Sequence, residues 1–406
     1  MSFFLGFHGA RADAERSLSA LHEVAYDQWL EPAHGVRTRF WNAGHILGSS
    51  SIGIELQILD SKGLPSRLLF SGDLGPAHKS FHPDPSAPEG FDYVITESTY
   101  GGRDRPNLTP QARRDELRAE VLAAMKRGGN LLIPAFAIER TQELILDLAE
   151  LFRMKALPPI TVYIDSPLAA EATKVFVRHS RDLEDMQQGI PFEMPNFHYV
   201  RPVEQSKQIN RIAGGAIIIA ASGMCEAGRI RYHLKQNLWR PQATVLFVGY
   251  QAHGTLGELI LSGANALRIH GEEVPVRASI RRLEGYSGHA DGAELVAWAR
   301  ERLPIRGGIF LTHGEDQARA DLRHALVSSG FPGEKILTPH LDDRFDLREG
   351  ILLSPPARRL APESVTQPDW SHLYSSTTLE LRRRLDALPN DEARKELLER
   401  VSKALR

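Results

Sequence analysis

Between residues 52 and 58 the chain alternates cleanly. Ile52, Ile54, Leu56 and Ile58 are separated by small or polar residues, the pattern of a strand with one covered face. Upstream, Asp13 is placed to N-cap a short helix carrying Ala14, Leu18 and Leu21 on one side. Continuous apolar runs follow, LLF before Ser71 and FDYVIT before Glu97, and these predict interior strands ending in turns. From Thr109 the period becomes helical: Thr109 is an N-cap, Pro110 suits the first helical position, and Gly128 and Gly129 stop the helix. LLIPA, TVYIDS, AIIIAAS and TVLFVGY then alternate with helical stretches after Arg140, from Ala169 and after Gly228, predicting a parallel sheet flanked by helices. The chain returns through strands at 267–269 and 274–280, a turn at His289, a helix from Gly292, the strand GGIFLT and a helix from Asp316. One fold interrupted by another gives this order, with expected segments 1–108, 109–258, 259–345 and a tail, 346–406, ending in charged helical segments.

Composition narrows the picture. With 406 residues, 42% hydrophobic and 25% charged, the chain reads as a globular protein of more than one domain. The single Cys225 excludes an intramolecular disulfide framework, and no apolar run reaches the roughly 18 residues that span a bilayer. The N-terminus lacks a basic segment followed by an uninterrupted apolar one, so a cytoplasmic location without membrane association is expected. A formal net charge of −2 gives no global attraction to nucleic acid, so any such binding must come from a local patch.

Three Gly-rich turns carry the candidate chemistry. GHILGS, SGDLG and THGE each place one His or Asp directly after a strand-like run, where side chains from separate strands converge on a metal. His45, Asp73 and His313 therefore read as metal ligands. Asp73 is the hard, anionic donor suited to bridge two divalent ions about 3.5–4 Å apart. Zinc is the first choice for such nitrogen and oxygen ligands, manganese the second. Glu97, ending a buried strand, reads as an acceptor that fixes the tautomer of a metal-bound or catalytic His, or as a salt-bridge partner of Arg103. His289 is placed to give a proton to a leaving alkoxide with Asp291 as an orienting partner, or to cap the next helix. Small residues before a helix in ASGMCEAGRIRYHL make Ser222, Gly223, Arg229 and Arg231 candidates for binding phosphate, and Arg140 and Gln142 offer a similar helix start.

Taken in order, GHILGS, SGDLG, ESTYGGR, LLIPAFAIERTQE, YIDSPLA, ASGMCEAGRIRYHL, VGYQAHGTLG, YSGHAD and THGE resemble the β-CASP branch of the metallo-β-lactamase superfamily, which includes RNA-processing nucleases. The resemblance spans about 22–340. It implies an α/β protein with a metallo-β-lactamase αββα core, N-terminally incomplete, interrupted by a β-CASP α/β domain, with RNA held in the cleft between them. It also implies His45 as the third His metal position, Asp73 as the bridging carboxylate, His313 as the final His ligand, Glu97 as the first β-CASP motif residue and His289 as the catalytic His. A complete site in the family holds two zinc ions.

The departures are as specific. Among the 16 His there is no His-x-His-x-Asp-His cluster, and His253 stands where relatives often carry an acidic or other polar residue. The expected explanation is a shortened reading frame, ahead of a split protein completed by an upstream fragment and of a degenerate paralogue. The expected function is metal-dependent RNA phosphodiester hydrolysis, in doubt for this chain while the cluster is missing. The rival is a noncatalytic RNA-binding or complex-forming subunit. Expected partners are RNA and either a second copy of the chain or the fragment that supplies the missing strands.

Overall fold

The structure, a computed structural model, describes residues 16–59, 65–105, 109–181, 183, 192–340, 343–347, 351–353, 377, 378, 380, 381, 384, 385, 387, 388 and 390–404. Asp13 and Ala14 of the expected first helix lie outside these residues. Leu18 is exposed on the short helical stretch 16–19, and Leu21 is exposed just beyond its end.

The first lobe opens with β1 (Leu30–Ala33), β2 (Val36–Asn42), β3 (Ser50–Leu59), β4 (Pro65–Phe70) and β5 (Tyr93–Thr96). The first four pair antiparallel, and β5 runs parallel to β4. The alternation seen in sequence sets the faces of β3: Ile52, Ile54 and Leu56 share one side and are half-buried. There Ile54 and Leu56 meet Leu68, Tyr93, Phe310, Phe345 and Leu347.

The chain then builds a second sheet. Thr109 accepts the Ala112 N–H at the start of α1 (Pro110–Arg127), and Gly128 ends it in the left-handed region, φ 81°. There follow β6 (Leu131–Pro134), α2 (Arg140–Arg153), β7 (Thr161–Ile164), α3 (Pro167–Arg178), β8 (Phe197–Tyr199), α4 (Val203–Ile209), β9 (Ala216–Ala220), α5 (Ile230–Asn237), β10 (Thr244–Phe247) and α6 (Leu256–Leu261). β11 (Ala266–Ile269) and β12 (Glu272–Pro275) form a separate hairpin, and β13 (Ser279–Arg282) pairs in parallel with β10. The second sheet, in the order β13-β10-β6-β9-β7-β8, is parallel throughout, and the strands at its centre are buried on both faces. The stretch 274–280, expected in the returning lobe, ends instead in the edge strand of the inserted sheet, and the chain recrosses after Arg282.

The return is α7 (Gly292–Arg300), β14 (Gly308–Leu311), α8 (Asp316–Ser328) and β15 (Ile336–Leu337), with β14 inserted between β5 and β15 in the first sheet. α7 and α8 cover one face of that sheet through Leu295, Trp298, Leu322 and Leu326 against Trp41, Val94 and Ile309. β16 (Arg344–Asp346) pairs with β17 (Ile351–Leu353), and Phe345 packs on the opposite face. The last described helix is α9 (Asp391–Ala404), within the expected charged tail. Among the described residues no helix is long and apolar enough to cross a membrane.

Candidate metal centre

Strand ends of the first sheet deliver the site. His45 follows β2, Asp73 follows β4, Glu97 follows β5 and His313 follows β14, so four parallel or adjacent strands release their side chains at one edge. The loops must approach closely for this. A Cβ on Gly75 would collide with the Gly44 carbonyl, and one on Gly288 would stand 2.8 Å from the His45 ring, so glycine is required at both places.

Asp73 sits at the centre. Its Oδ2 lies 3.8 Å from His45 Nε2, and its Oδ1 lies 3.4 Å from His313 Nε2. Ligand atoms of His45, Asp73 and His289 all fall within 4.8 Å of one another. The His289 ring is 4.4 Å from that of His45 and 6.0 Å from that of His313, centroid to centroid. The three His and one Asp singled out in sequence are therefore together, and His289 stands closer to His45 and Asp73 than its assigned catalytic role required.

Hydrogen bonds fix which nitrogen faces inward. His45 Nδ1 lies 2.7 Å from the Gly288 carbonyl, which can only accept, so the proton is on Nδ1 and the lone pair on Nε2. Burial, reinforced by His289 and Lys79, pushes the His45 pKa down from 6.5 to about 3, which keeps the ring neutral. An unprotonated nitrogen thus faces a carboxylate oxygen with no proton available between them. Two electron-pair donors held this way are satisfied by a cation, and the donor set fits a divalent ion of the zinc type.

Glu97 decides the orientation of His289. Its carboxylate oxygens lie 3.1 and 3.0 Å from His289 Nδ1, and it also accepts the Leu74 N–H. The buried carboxylate thus ties the Asp73 turn to the His289 turn and leaves His289 Nε2 pointing to the cluster. The orienting partner is Glu97 and not Asp291. Asp291 is the N-cap of α7, joined to Glu294 in a reciprocal capping box, so the capping role considered for His289 also belongs to Asp291. His313 adopts φ 47°, a left-handed conformation uncommon away from glycine, and its carbonyl accepts the Ser98 N–H.

A set of charged residues behind the site was not legible in sequence. Lys79 donates to the His45 carbonyl and lies 3.5 Å from Glu139. Glu139 also takes His82 Nε2 at 2.7 Å and the Leu47 N–H at 3.2 Å. Burial alone would raise the Glu139 carboxyl, but Lys79 and His82 outweigh it and hold the group below the ordinary carboxylate range. Glu139 precedes α2 with φ 70° and ψ −64°, and makes no side-chain capping bond there. Arg113 of α1 adds a second bridge, pairing with Asp147 at 2.7 Å and donating to Ser80 at 2.8 Å.

A cavity of about 390 Å³ opens over the cluster. His45, Asp73 and His289 line one part, with Arg140, Tyr250, Phe136, Ile138, Leu168 and Met224 around them. Arg140 NH1 donates to the Val248 carbonyl at 2.8 Å, while its Nε stands 3.5 Å from Glu143. Of the phosphate-binding candidates, Arg140 alone is in this lining; Ser222, Gly223, Arg229 and Arg231 lie outside it. Arg229 spends its guanidinium on Asp165 and on the Val200 and Arg201 carbonyls, and Arg231 donates to the Glu226 carbonyl. Ser222 accepts the Ala227 N–H, and Gln142 is buried against Ala137 and Thr173. His253 is exposed before α6.

A sheet whose strand ends gather His and Asp around a divalent-ion position, interrupted by a parallel α/β lobe, defines a metallo-hydrolase with an inserted domain. Residues 141–260 match the family model described as Beta-Casp domain, and residues 273–339 match the Zn-dependent metallo-hydrolase RNA specificity domain. The chain is 36% identical over 324 residues to Ribonuclease TTHA0252 of Thermus thermophilus, covering 78% of this chain and 72% of that protein. It is 33% identical over 324 residues to Transcription termination factor FttA of Pyrococcus abyssi, 74% of this chain but 47% of the relative. An RNase J-like protein of Methanocaldococcus jannaschii is 28% identical over 305 residues, covering 75% and 69% respectively. The chain belongs to the β-CASP branch of the metallo-β-lactamase superfamily.

Proposed function

We propose that the chain is a metal-dependent ribonuclease that hydrolyses RNA phosphodiester bonds in the cleft over Asp73. The observation that carries this reading is Asp73 dividing its two oxygens between His45 and His313 while Glu97 seats His289 beside them. His45, Asp73 and His313 would hold one zinc ion, with manganese as the alternative; two ions belong to the complete site of the family, and these three ligands do not close it. Such ions supply neutralisation of the phosphate oxygens and activation of water for attack on phosphorus.

The chain's own groups account for the rest. Asp73, which faces both His45 and His313, orients the attacking water. His289 gives the proton on Nε2 to the departing oxygen, and Glu97 stabilises the imidazolium form that carries it. Arg140, in the cavity wall, brings positive charge to the phosphate.

The test is cleavage of a labelled single-stranded RNA with zinc or manganese in excess, alongside metal analysis of the dialysed protein. Asp73→Asn lowers both metal content and rate, whereas His289→Ala keeps the metal and loses roughly 10²- to 10⁴-fold in rate. RNA that is bound but left uncut with metal present overturns hydrolysis in favour of a binding subunit. Unchanged cleavage by His289→Ala overturns its assigned role.

A further inference from the structure

The segment leaving β6 inverts the usual rule of burial. Ala135 and Ala137 are 1% and 8% exposed, while Phe136 and Ile138 between and beyond them are 45% and 37% exposed. A stretch shaped by stability alone would turn the large apolar side chains inward. The backbone holds this arrangement firmly, because the Phe136 carbonyl accepts both the N–H and, at 2.7 Å, the hydroxyl of Thr141. The ring lies over Gly223, where an added Cβ would come within 2.8 Å of it. Leu168, 58% exposed, and Met224 extend the same apolar wall.

This wall and the metal-binding cluster line one cavity. Its polarity is graded: His45, Asp73, His289 and the Arg140 guanidinium make the end suited to a phosphate, and Phe136, Ile138, Leu168 and Met224 make an end without charge. A nucleotide has the same division, with an anionic phosphate joined to a flat, weakly polar base. We propose that Phe136 is the stacking platform of a nucleobase subsite, with Ile138, Leu168 and Met224 forming its rim. It receives one unpaired base of single-stranded RNA next to the phosphate held at Asp73. The proposal rests on the ribonuclease reading and adds how the substrate is gripped: a base must leave its stack to enter, so duplex RNA is excluded at this position.

Equilibrium binding of the full chain to a single-stranded RNA, and to a series of the same RNA with one abasic nucleotide moved along it, tests this. Phe136→Ala weakens binding of the intact RNA roughly tenfold or more, while Phe136→Trp, which keeps a flat ring, retains it. One abasic position weakens binding to wild type by a similar factor, and Phe136→Ala adds little further loss there. Arg140→Ala, by contrast, weakens intact and abasic RNA alike. Circular dichroism and thermal unfolding confirm that each variant is folded. Equal losses by Phe136→Ala on intact and abasic RNA, or no loss in a folded variant, overturn the subsite while leaving the ribonuclease reading in place. No RNA binding by wild type overturns both.

Discussion

His45 is held neutral by burial, reinforced by His289 and Lys79, and that has a consequence for acid stability. A histidine whose folded pKa falls from 6.5 to about 3 costs nothing above about pH 6.5. Below that the unfolded chain takes up a proton that the folded chain refuses, so stability drops progressively as pH falls toward 3. Thermal unfolding of the metal-free chain is expected to show this decline, and His45→Gln to flatten it by a few degrees between pH 6 and pH 4. An unchanged slope would mean that other groups dominate acid denaturation. His45, Asp73 and His313 were visible in the sequence because each sits in a Gly-rich turn after an apolar run, and His289 because it stands in a small-residue turn just before a helix. Lys79, His82 and Glu139 were not visible. A buried lysine reads like any surface lysine until the chain folds around it, and its partner is 60 residues away in sequence and in another lobe.

At the scale of elements, the start of α2 does two jobs. Phe136 and Ile138 face the cavity, and Glu139, in a backbone conformation that favours glycine, reaches back to the loop carrying His45. Glu139→Ala would leave Lys79 and His82 buried without this carboxylate, a loss on the order of 3–5 kcal/mol for breaking a buried pair. It should also weaken zinc binding, because Lys79 and the Leu47 N–H no longer hold the ligand loop in place. Glu139→Gln, which still accepts from Leu47 and His82, should fall between wild type and alanine. Denaturant unfolding and zinc titration of the three proteins check this; equal zinc affinity throughout would reduce Glu139 to a stability residue. Helix limits were the most legible elements where Thr109 and Gly128 carry their capping chemistry locally, although the cap of α7 was sought at His289 and lies at Asp291. The edge strand β13 was less so, because pairing with β10 is decided by the sheet and not by its own four residues.

At the scale of the molecule, two sheets meet over one cleft, and the near-neutral net charge of −2 leaves RNA attraction to that cleft. Affinity for single-stranded RNA is therefore expected to fall with salt through a few local contacts, and Arg140→Ala to reduce the logarithmic salt slope by about 0.7, the share of one phosphate. A slope unaltered by Arg140→Ala would move the phosphate contact elsewhere. The interruption was legible from the change of hydrophobic period at Thr109, whereas the point of return, expected from residue 259 but delayed until after Arg282, and the cleft, formed by segments far apart in sequence, were not. The Lys79–Glu139 bridge joins the lobe that would grip RNA to the loop that would grip metal. Two ligands that share one mechanical link obey reciprocity: whatever factor metal adds to RNA affinity, RNA must return to metal affinity. The chain would then retain its ions best while occupied by substrate, and release them most readily between substrates.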